Sequence, residues 1–235
     1  MKYMTFMATD SEAEPYIVGE DHISEWVEET LASGVNIIGD RIRDREEGRV
    51  VRVRNGELLV TDGPFTESKE WINGWNLLEF TDLDEAIEVM SRHPVARFGQ
   101  VEIRPLYSEH GVAGIDLALP YGQGPRFLMF VVVDPEPDTD PSPEPDIEEW
   151  VQTMDARGAR VGGQRLRGPE DATIVRLRDG EVLVTDGPFT ESKEWIAGFD
   201  LLNTATMDEA IEVASKHPMA RAGRIELREA WPLDL

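Results

Sequence analysis

Apolar residues occur along the chain in two patterns, the short continuous runs of buried strands and the periodic spacing of amphipathic helices. The same order of predicted elements occurs twice. Short apolar runs such as "KYMTFMA" and "RFLMFVVV" predict buried strands. The segment "DHISEWVEETLASG" has the period of an amphipathic helix, and Gly34 suits the position just after its end. The apolar face of this helix consists of Ile23, Trp26, Val27 and Leu31. Each copy therefore begins with a strand and an amphipathic helix.

Turn and cap signals divide the remainder of each copy. In "VVRVRNGELLVTDG" the pair Asn55-Gly56 predicts a two-residue hairpin turn, and Asp179-Gly180 takes its place in the second copy. The segment "DLDEAIEVMSRHP" predicts a helix that is capped by Asp82 and ends near Pro94. A closing strand, "GQVEIRP", follows. This order of elements is that of a ferredoxin-like split unit.

A shift of 124 residues superimposes the sequence on itself without a gap, and the phrase "LVTDGPFTESKEWI" at 59–72 returns unchanged at 183–196. We assign the first copy to residues 1–111, a linker to 112–124 and the second copy to 125–235. Each unit would leave one face of its sheet bare, and pairing the two sheets buries both. The expected fold class is α+β: two tandem ferredoxin-like units that form an intramolecular pseudo-dimer, a dimeric α+β barrel in one chain.

Composition restricts the function classes. The chain has 47 acidic and 23 basic residues, a net charge of −24, which disfavours binding to nucleic acid or to a membrane surface. It has no cysteine, which excludes disulfides and thiolate catalysis. No secretory signal or membrane-length apolar run occurs, so we expect a cytoplasmic protein. No metal-ligand spacing or nucleotide-binding motif is present, so neither a metal nor a cofactor is predicted.

The repeated phrase supports two interpretations. In the structural one, Asp62 accepts backbone N–H groups of a tight turn that Gly63 permits, and the Glu and Lys residues form a local surface pair. In the functional one, the two loops line pockets. Lysine is scarce, and two of the four, Lys69 and Lys193, lie in these loops. The candidate ligand-binding residues of the loops are Asp62, Phe65, Glu67, Lys69, Glu70, Asp186, Phe189, Glu191, Lys193 and Glu194.

Two further sets of charged residues are candidates for binding or structure. Arg41 and Arg165 occupy equivalent strand positions and could hold an anion, although on so acidic a protein we expect them to meet carboxylates. His93 and His217 each precede a proline next to a helix end, where an imidazolium complements the helix dipole.

Candidate catalytic residues are fewer. His22 occurs in the first copy only, and it could act as a base with Asp62 or Asp40 as its orienting carboxylate. Asp186 is the second-copy equivalent of Asp62 and is therefore also a candidate catalytic carboxylate. Whether these residues meet depends on the fold.

The segment "VRVRNGELLVTDGPFTESKEWINGWNLLEF" and its second copy closely resemble the DGPF-type branch of the YCII-related proteins, whose hallmark is a phrase like "DGPFAETKE". The resemblance implies a dimeric α+β barrel and a link to sigma factors of the extracytoplasmic-function class. More distant YCII-related enzymes are thought to use a His–Asp pair for lyase or dehalogenase-like work on small cyclic substrates. The family's histidine on the first helix falls here at Ile23, one position from His22, and at Ile147 in the second copy.

Three hypotheses about function follow. The leading one is that the protein binds a small molecule in clefts between the paired sheets, with the repeated loops as walls, either as a monomeric pseudo-dimer or as a homodimer. The second is a small-molecule lyase or hydrolase that uses a His–carboxylate pair. The third is a non-catalytic interaction module, which would present an exposed apolar patch.

Overall fold

The computed structural model describes residues 1–17, 22–63, 71–107, 125–133, 146–188 and 194–232, so the linker 112–124 lies outside the described residues. The first half contains strands β1 (Lys2–Thr9), β2 (Asn36–Ile42), β3 (Arg49–Arg54), β4 (Glu57–Asp62), β5 (Ile72–Glu79) and β6 (Gly99–Pro105), and helices α1 (Ile23–Ala32), α2 (Leu83–Ser91) and α3 (Val95–Phe98). The second half contains β7 (Phe127–Val133), β8 (Arg160–Arg165), β9 (Thr173–Arg178), β10 (Glu181–Asp186), β11 (Trp195–Leu202) and β12 (Arg224–Trp231), and helices α4 (Ile147–Ala156), α5 (Met207–Ser215) and α6 (Met219–Ala222).

The local signals are confirmed at most element ends. Gly34 follows α1 with φ +74°, and the Asp82 carboxylate accepts the Glu85 N–H at 3.0 Å at the start of α2. The hairpin turn has the two positive φ values that its type requires, 52° at Asn55 and 77° at Gly56. The prediction that Leu31 is buried is wrong: it is exposed on the last turn of α1.

Two one-turn helices, α3 and α6, were not predicted. Each begins directly after the proline that stops the preceding helix, Pro94 or Pro218. Proline is favoured at a helix start because its φ is already helical and its missing N–H would be unpaired there. The same residue therefore ends one helix and opens the next.

Eight strands form the predicted barrel. The first half supplies β2-β5-β1-β6 and the second half supplies β8-β11-β7-β12, each in antiparallel order. Pairing of β2 with β12 closes one seam, and a bridge between Leu106 and Leu166 closes the other. Apolar side chains from both halves fill the interior, with Phe6 and Phe130 in edge contact at 5.8 Å between ring centroids. The helices cover the outer faces.

The two hairpins are exchanged between the halves, which was not predicted. Strand β3 pairs with β12 of the second half, and β9 pairs with β6 of the first. Val51 and Val53 consequently pack beneath the helices of the second half, and Val175 packs beneath those of the first. Each half therefore completes the other's helix-covered core.

Arginine side chains fix both the exchanged hairpins and the barrel seams. At the end of β3, Arg54 donates to carbonyl oxygens in and just after α6 of the second half, including that of Gly223 at 2.8 Å. Arg178 of β9 donates in the same way to the Gly99 carbonyl of the first half. Inside the barrel, Arg104 pairs with Glu102 and donates to the Ile196 carbonyl at 3.3 Å across the seam. The pair Arg228 and Glu226 repeats this arrangement in the second half.

Candidate functional site

The repeated phrase begins on exposed strands β4 and β10 and then leaves the described part of the chain. Seven of the candidate ligand-binding residues lie outside the described residues: Phe65, Glu67, Lys69, Glu70, Phe189, Glu191 and Lys193. Glu194, the last of the predicted set, is described, and it pairs with the buried Arg224 on β12. This residue thus anchors the end of its loop to the barrel.

The aspartates of the phrase lie on the surface. The side chain of Asp62 is 84% exposed, and its Oδ1 lies 3.2 Å from the Nε of Arg49 on the neighbouring strand. Gly63 has φ +87°, as the turn interpretation requires, and it donates its N–H to the Gly48 carbonyl at 3.2 Å. Among the described residues the Asp62 carboxylate pairs with Arg49, and the residues after Gly63 that it was predicted to cap lie outside the described residues. Asp186 is likewise exposed at the end of β10.

A modest role for Asp62 follows from this exposure. Asp62→Ala should lower the free energy of unfolding by less than about 1 kcal/mol, because a solvent-exposed ion pair contributes little. Urea unfolding followed by circular dichroism measures the change, with Gly63→Ala as a comparison. The glycine variant should lose more, because alanine is strained at a positive φ. A larger loss for Asp62→Ala than for Gly63→Ala would contradict this assignment.

The structure does not bring His22 and Asp62 together. His22 precedes α1 on the first half with φ 44°, is largely exposed and has its Nδ1 3.3 Å from Glu25 Oε1. Asp62 belongs to the hairpin that extends the second half's sheet. A base formed by His22 and Asp62 is therefore not assembled, and His22 borders only a smaller groove of about 300 Å³ beside α1.

Arg41 and Arg165 do not meet carboxylates among the described residues, contrary to expectation. The guanidinium of Arg41 lies 4.5 Å from the ring centroid of Trp231, and that of Arg165 lies 4.6 Å from the ring centroid of Tyr107. Trp231 is the last residue of β12, and Tyr107 lies two residues after the end of β6, so each aromatic residue comes from the other half. Cation–π contacts of this kind link the halves at both seams.

His93 and His217 are buried and neutral, so the prediction of an imidazolium at a helix end is wrong. The Nδ1 of His93 accepts the Val95 N–H at 3.2 Å, which places the ring proton on Nε2; His217 repeats this with Met219 at 3.1 Å. Burial lowers the pKa of both imidazoles to about 3, because the charged form loses its hydration. His93 also stands edge-on to Trp26 of α1, with ring centroids 4.5 Å apart.

A cavity of about 520 Å³ lies beside His93, between α1, α3 and the outer face of the first half's sheet. Its walls are largely apolar and include Met7, Ile23, Trp26, Val27, Val95 and Phe98. Trp231 of the second half forms part of its rim. The polar residues that line it are Thr9, Tyr16, Asp40, Arg41, Asp44, Asn73, Asn76 and His93. A volume of this size with apolar walls and few polar groups is typical of a small-molecule site.

Comparison with known proteins decides the family. The model of the YCII-related domain matches the chain twice, at residues 1–109 and 129–234. The chain belongs to the YCII-related family. An uncharacterized protein of Rhizobium meliloti (strain 1021) is 46% identical over 50 residues, which cover 21% of this chain and 40% of that protein. A crystal structure described provisionally as a chlorite dismutase aligns with 98% of this chain and 94% of its own, at 12% identity and a TM-score of 0.42.

The second YCII-related repeat has a different set of residues at the equivalent place. Asp200 replaces Asn76, and its Oδ1 lies 2.6 Å from the Nε of Arg160, which replaces Asn36. The Nε2 of His217 lies 4.0 Å from the other carboxylate oxygen. Burial raises the pKa of Asp200 to about 6, although the Arg160 charge lowers it. An internal ion pair thus stands where the first YCII-related repeat has two carboxamides.

Sequence reasoning missed this site, although signals for it were present. The His-Pro pair occurs in register in both YCII-related repeats, and Gly39 and Gly163 also align. These glycines are needed because a Cβ at Gly39 would lie 1.8 Å from the Asn76 side chain, and one at Gly163 would lie 2.0 Å from that of Asp200. A glycine opposite a polar residue on a buried strand indicates a side chain lying across the sheet.

Among the described residues, no group of three or more His, Asp and Glu side chains could hold a metal ion. In the same part of the chain no helix is long and apolar enough to cross a membrane. The family match and the cavity therefore remain the two observations that bear on function.

Proposed function

We propose that the first YCII-related repeat binds a small, largely apolar molecule in the cavity between α1, α3 and the sheet. The single observation that carries this proposal is the cavity of about 520 Å³, which lies against a buried, neutral histidine. It differs from the earlier hypothesis in place: the site lies between the helices and the sheet rather than between the paired sheets.

The polar groups favour recognition of an oxygen acceptor. Because the Val95 N–H occupies His93 Nδ1, the ring presents its Nε2–H as a donor, and it remains uncharged at neutral pH. A neutral N–H in an apolar pocket fixes the orientation of a bound carbonyl or hydroxyl oxygen. The remaining contact area comes from aliphatic and aromatic side chains.

Binding is favoured over the His–carboxylate lyase or hydrolase. A general base works best with a pKa near the operating pH, and His93, with a pKa of about 3, lies far below it. The proton on Nε2 would also have to leave before that atom could accept another. His22, the earlier candidate base, contacts only Glu25 among the described residues. The arrangement suits a hydrogen-bond donor better than a base.

Filling the cavity tests this function. Val95→Phe should weaken binding of the neutral probe 2-naphthylmethanol by about tenfold or more, because the larger ring occupies the ligand's space while the backbone N–H to His93 is retained. Isothermal titration calorimetry measures the affinity. Met219→Phe, at the equivalent position of the second repeat, is the matched control and should leave the affinity unchanged.

Two results would argue against the proposal. One is the absence of binding by the unmodified protein at millimolar probe. The other is an equal loss of affinity in Val95→Phe and Met219→Phe, which would place the probe elsewhere or indicate a general disturbance of the fold. Thermal unfolding of both variants shows whether the fold is retained.

Two other roles are separate proposals. A functional link to a sigma factor of the extracytoplasmic-function class is supported only by the family resemblance. An interaction module is supported by the apolar side chains exposed on the edge strands, Leu58, Leu59 and Val60 on β4 and Val182, Leu183 and Val184 on β10. Replacing Leu59 and Leu183 by lysine would abolish an interaction made through these strands and leave the cavity's affinity intact.

A further inference from the structure

Arg41 has no carboxylate partner among the described residues, in a protein that has about twice as many acids as bases. Among the described residues it forms no ion pair, and its Nη2 donates to the Pro232 carbonyl at 3.0 Å. Its Nε is buried and has no hydrogen-bond partner. The neighbouring Arg43, by contrast, lies near both Glu47 and Glu229. No hydrogen bond of the third nitrogen, Nη1, is seen among the described residues, so this nitrogen can donate to a ligand at the rim of the cavity.

The position of Arg41 combines this donor with an aromatic surface. Its guanidinium lies against the Trp231 ring, and both residues line the cavity. A planar guanidinium held by stacking is preorganised to bind a carboxylate through two parallel hydrogen bonds. The apolar walls around Trp26 and Phe98 can receive the rest of the ligand.

We propose that the ligand of the first-repeat cavity is a small carboxylic acid with an apolar or aromatic body, whose carboxylate pairs with Arg41. This inference rests on the proposed function, because it names the chemical class that the same cavity takes. Trp231 belongs to the second half, so both halves contribute to the site.

Two acids, Asp40 and Asp44, also line the cavity. In the strand pairing Asp40 lies opposite Trp75 and Arg41 lies opposite Gly74, and the Asp40 Oδ1 accepts the backbone N–H of Arg41 at 3.0 Å. Asp44 is exposed at the rim. The net charge of −24 acts over longer distances, and at physiological ionic strength it is screened within about 8 Å. A direct contact with the guanidinium is screened far less.

The chain supplies a matched control in Arg165. It occupies the equivalent position, stacks on Tyr107 in the same way and forms no ion pair among the described residues. It does not line the first-repeat cavity. Arg165→Gln therefore makes the same change in net charge and the same loss of stacking between the halves, without touching the proposed site.

Three probes share a naphthyl ring and differ in the charge of one substituent: 2-naphthoate, 2-naphthylmethanol and 2-naphthylmethylamine. Together they show whether the cavity binds a ligand at all and whether it prefers a negative charge. Calorimetric titrations at 0.15 M salt should show the carboxylate binding about tenfold tighter than the alcohol and the amine binding weakest. Arg41→Gln should weaken naphthoate binding about tenfold and change the affinity for the alcohol less than about threefold. Arg165→Gln should change neither.

The outcomes distinguish the two levels of the proposal. If the alcohol or the amine binds as tightly as the carboxylate, or if Arg165→Gln weakens naphthoate as much as Arg41→Gln, the assignment of Arg41 is overturned while the cavity remains a binding site. If none of the probes binds, both the ligand class and the proposed function are overturned.

Discussion

Replacing Arg104 by leucine should lower the free energy of unfolding by about 3–5 kcal/mol, the usual result of removing one partner of a buried ion pair. Arg104 and Glu102 are both about 2% exposed or less and face the barrel interior. Leucine would remove the guanidinium from a buried carboxylate. It would also remove donors from the Arg167 and Ile196 carbonyls across the seam. Guanidinium chloride unfolding followed by tryptophan fluorescence measures the change.

The chain provides control variants that should lose as much stability as Arg104→Leu and others that should lose less. Arg228→Leu breaks the equivalent pair and should cost a similar amount. The double variant Glu102→Leu/Arg104→Leu should recover much of the loss, since no buried carboxylate is left without its cation. Arg92→Leu removes an exposed arginine that pairs with Glu29 and Glu88, and it should cost less than about 1 kcal/mol. A loss for Arg104→Leu no greater than for Arg92→Leu would mean that the interior pair contributes little.

Acidification should destabilise the protein by about 1.4 kcal/mol per pH unit between pH 6.5 and pH 5 through three buried groups. His93 and His217 have folded pKa values of about 3, below the ordinary 6.5. At these two sites the unfolded chain therefore binds about one more proton than the folded one at pH 6.5 and about two more at pH 5. Asp200 opposes them, because its folded pKa of about 6 lets the native state hold one proton that the unfolded chain releases. The net difference is about one proton.

Variants isolate each contribution to this pH dependence. His93→Gln removes one histidine, so the slope of unfolding free energy against pH should fall nearly to zero. Asp200→Asn removes the opposing carboxyl group, so the slope should rise to about 2.2 kcal/mol per pH unit. Chemical unfolding at several pH values gives these slopes, and differences between variants cancel the effect of the net charge. Slopes that are identical in all three proteins would show that these residues are not held in the stated protonation states.

Local structure was the most predictable level of this protein. The hairpin turn at Asn55-Gly56 and the helix cap at Asp82 depend on neighbouring residues alone, and both are confirmed. The barrel was also predicted, because each unit has one apolar sheet face that only a second sheet can bury, and the family resemblance implied the same fold. These inferences require only the pattern of apolar, turn and capping residues along the chain. They do not require knowing which distant residues are in contact.

The hairpin exchange could not be predicted for a physical reason. The alternation of Val51 and Val53 shows that one face of β3 is buried, but both halves offer nearly the same complementary surface. Pairing within a half and pairing between halves therefore have the same sequence pattern. The choice depends on the path of the connecting chain, which the pattern of apolar residues does not encode.

The cavity beside His93 was not predicted, because repetition attracted more weight than burial, and the loop site itself stays an untested prediction. The identical loop residues drew the prediction to Lys69 and Lys193, which lie outside the described residues. The His-Pro pair at His93 occurs in both repeats, but the pair alone does not show that the ring is buried. The imidazole loses its hydration because Trp26, which comes from α1, packs against it. Desolvation of this kind arises from tertiary packing, and no local spacing reports it.

The covalent joining of the two halves has an evolutionary consequence. In a homodimer with exchanged hairpins, one gene encodes both sites, so any change in one site is imposed on the other. Fusion removes that constraint while the exchanged hairpins keep the halves dependent on each other for their cores. Asn76 and Asp200 show the result: the first half has a cavity beside Asn76, and in the second half Asp200 forms an internal ion pair with Arg160. A duplicated gene can in this way specialise its two halves without separating them.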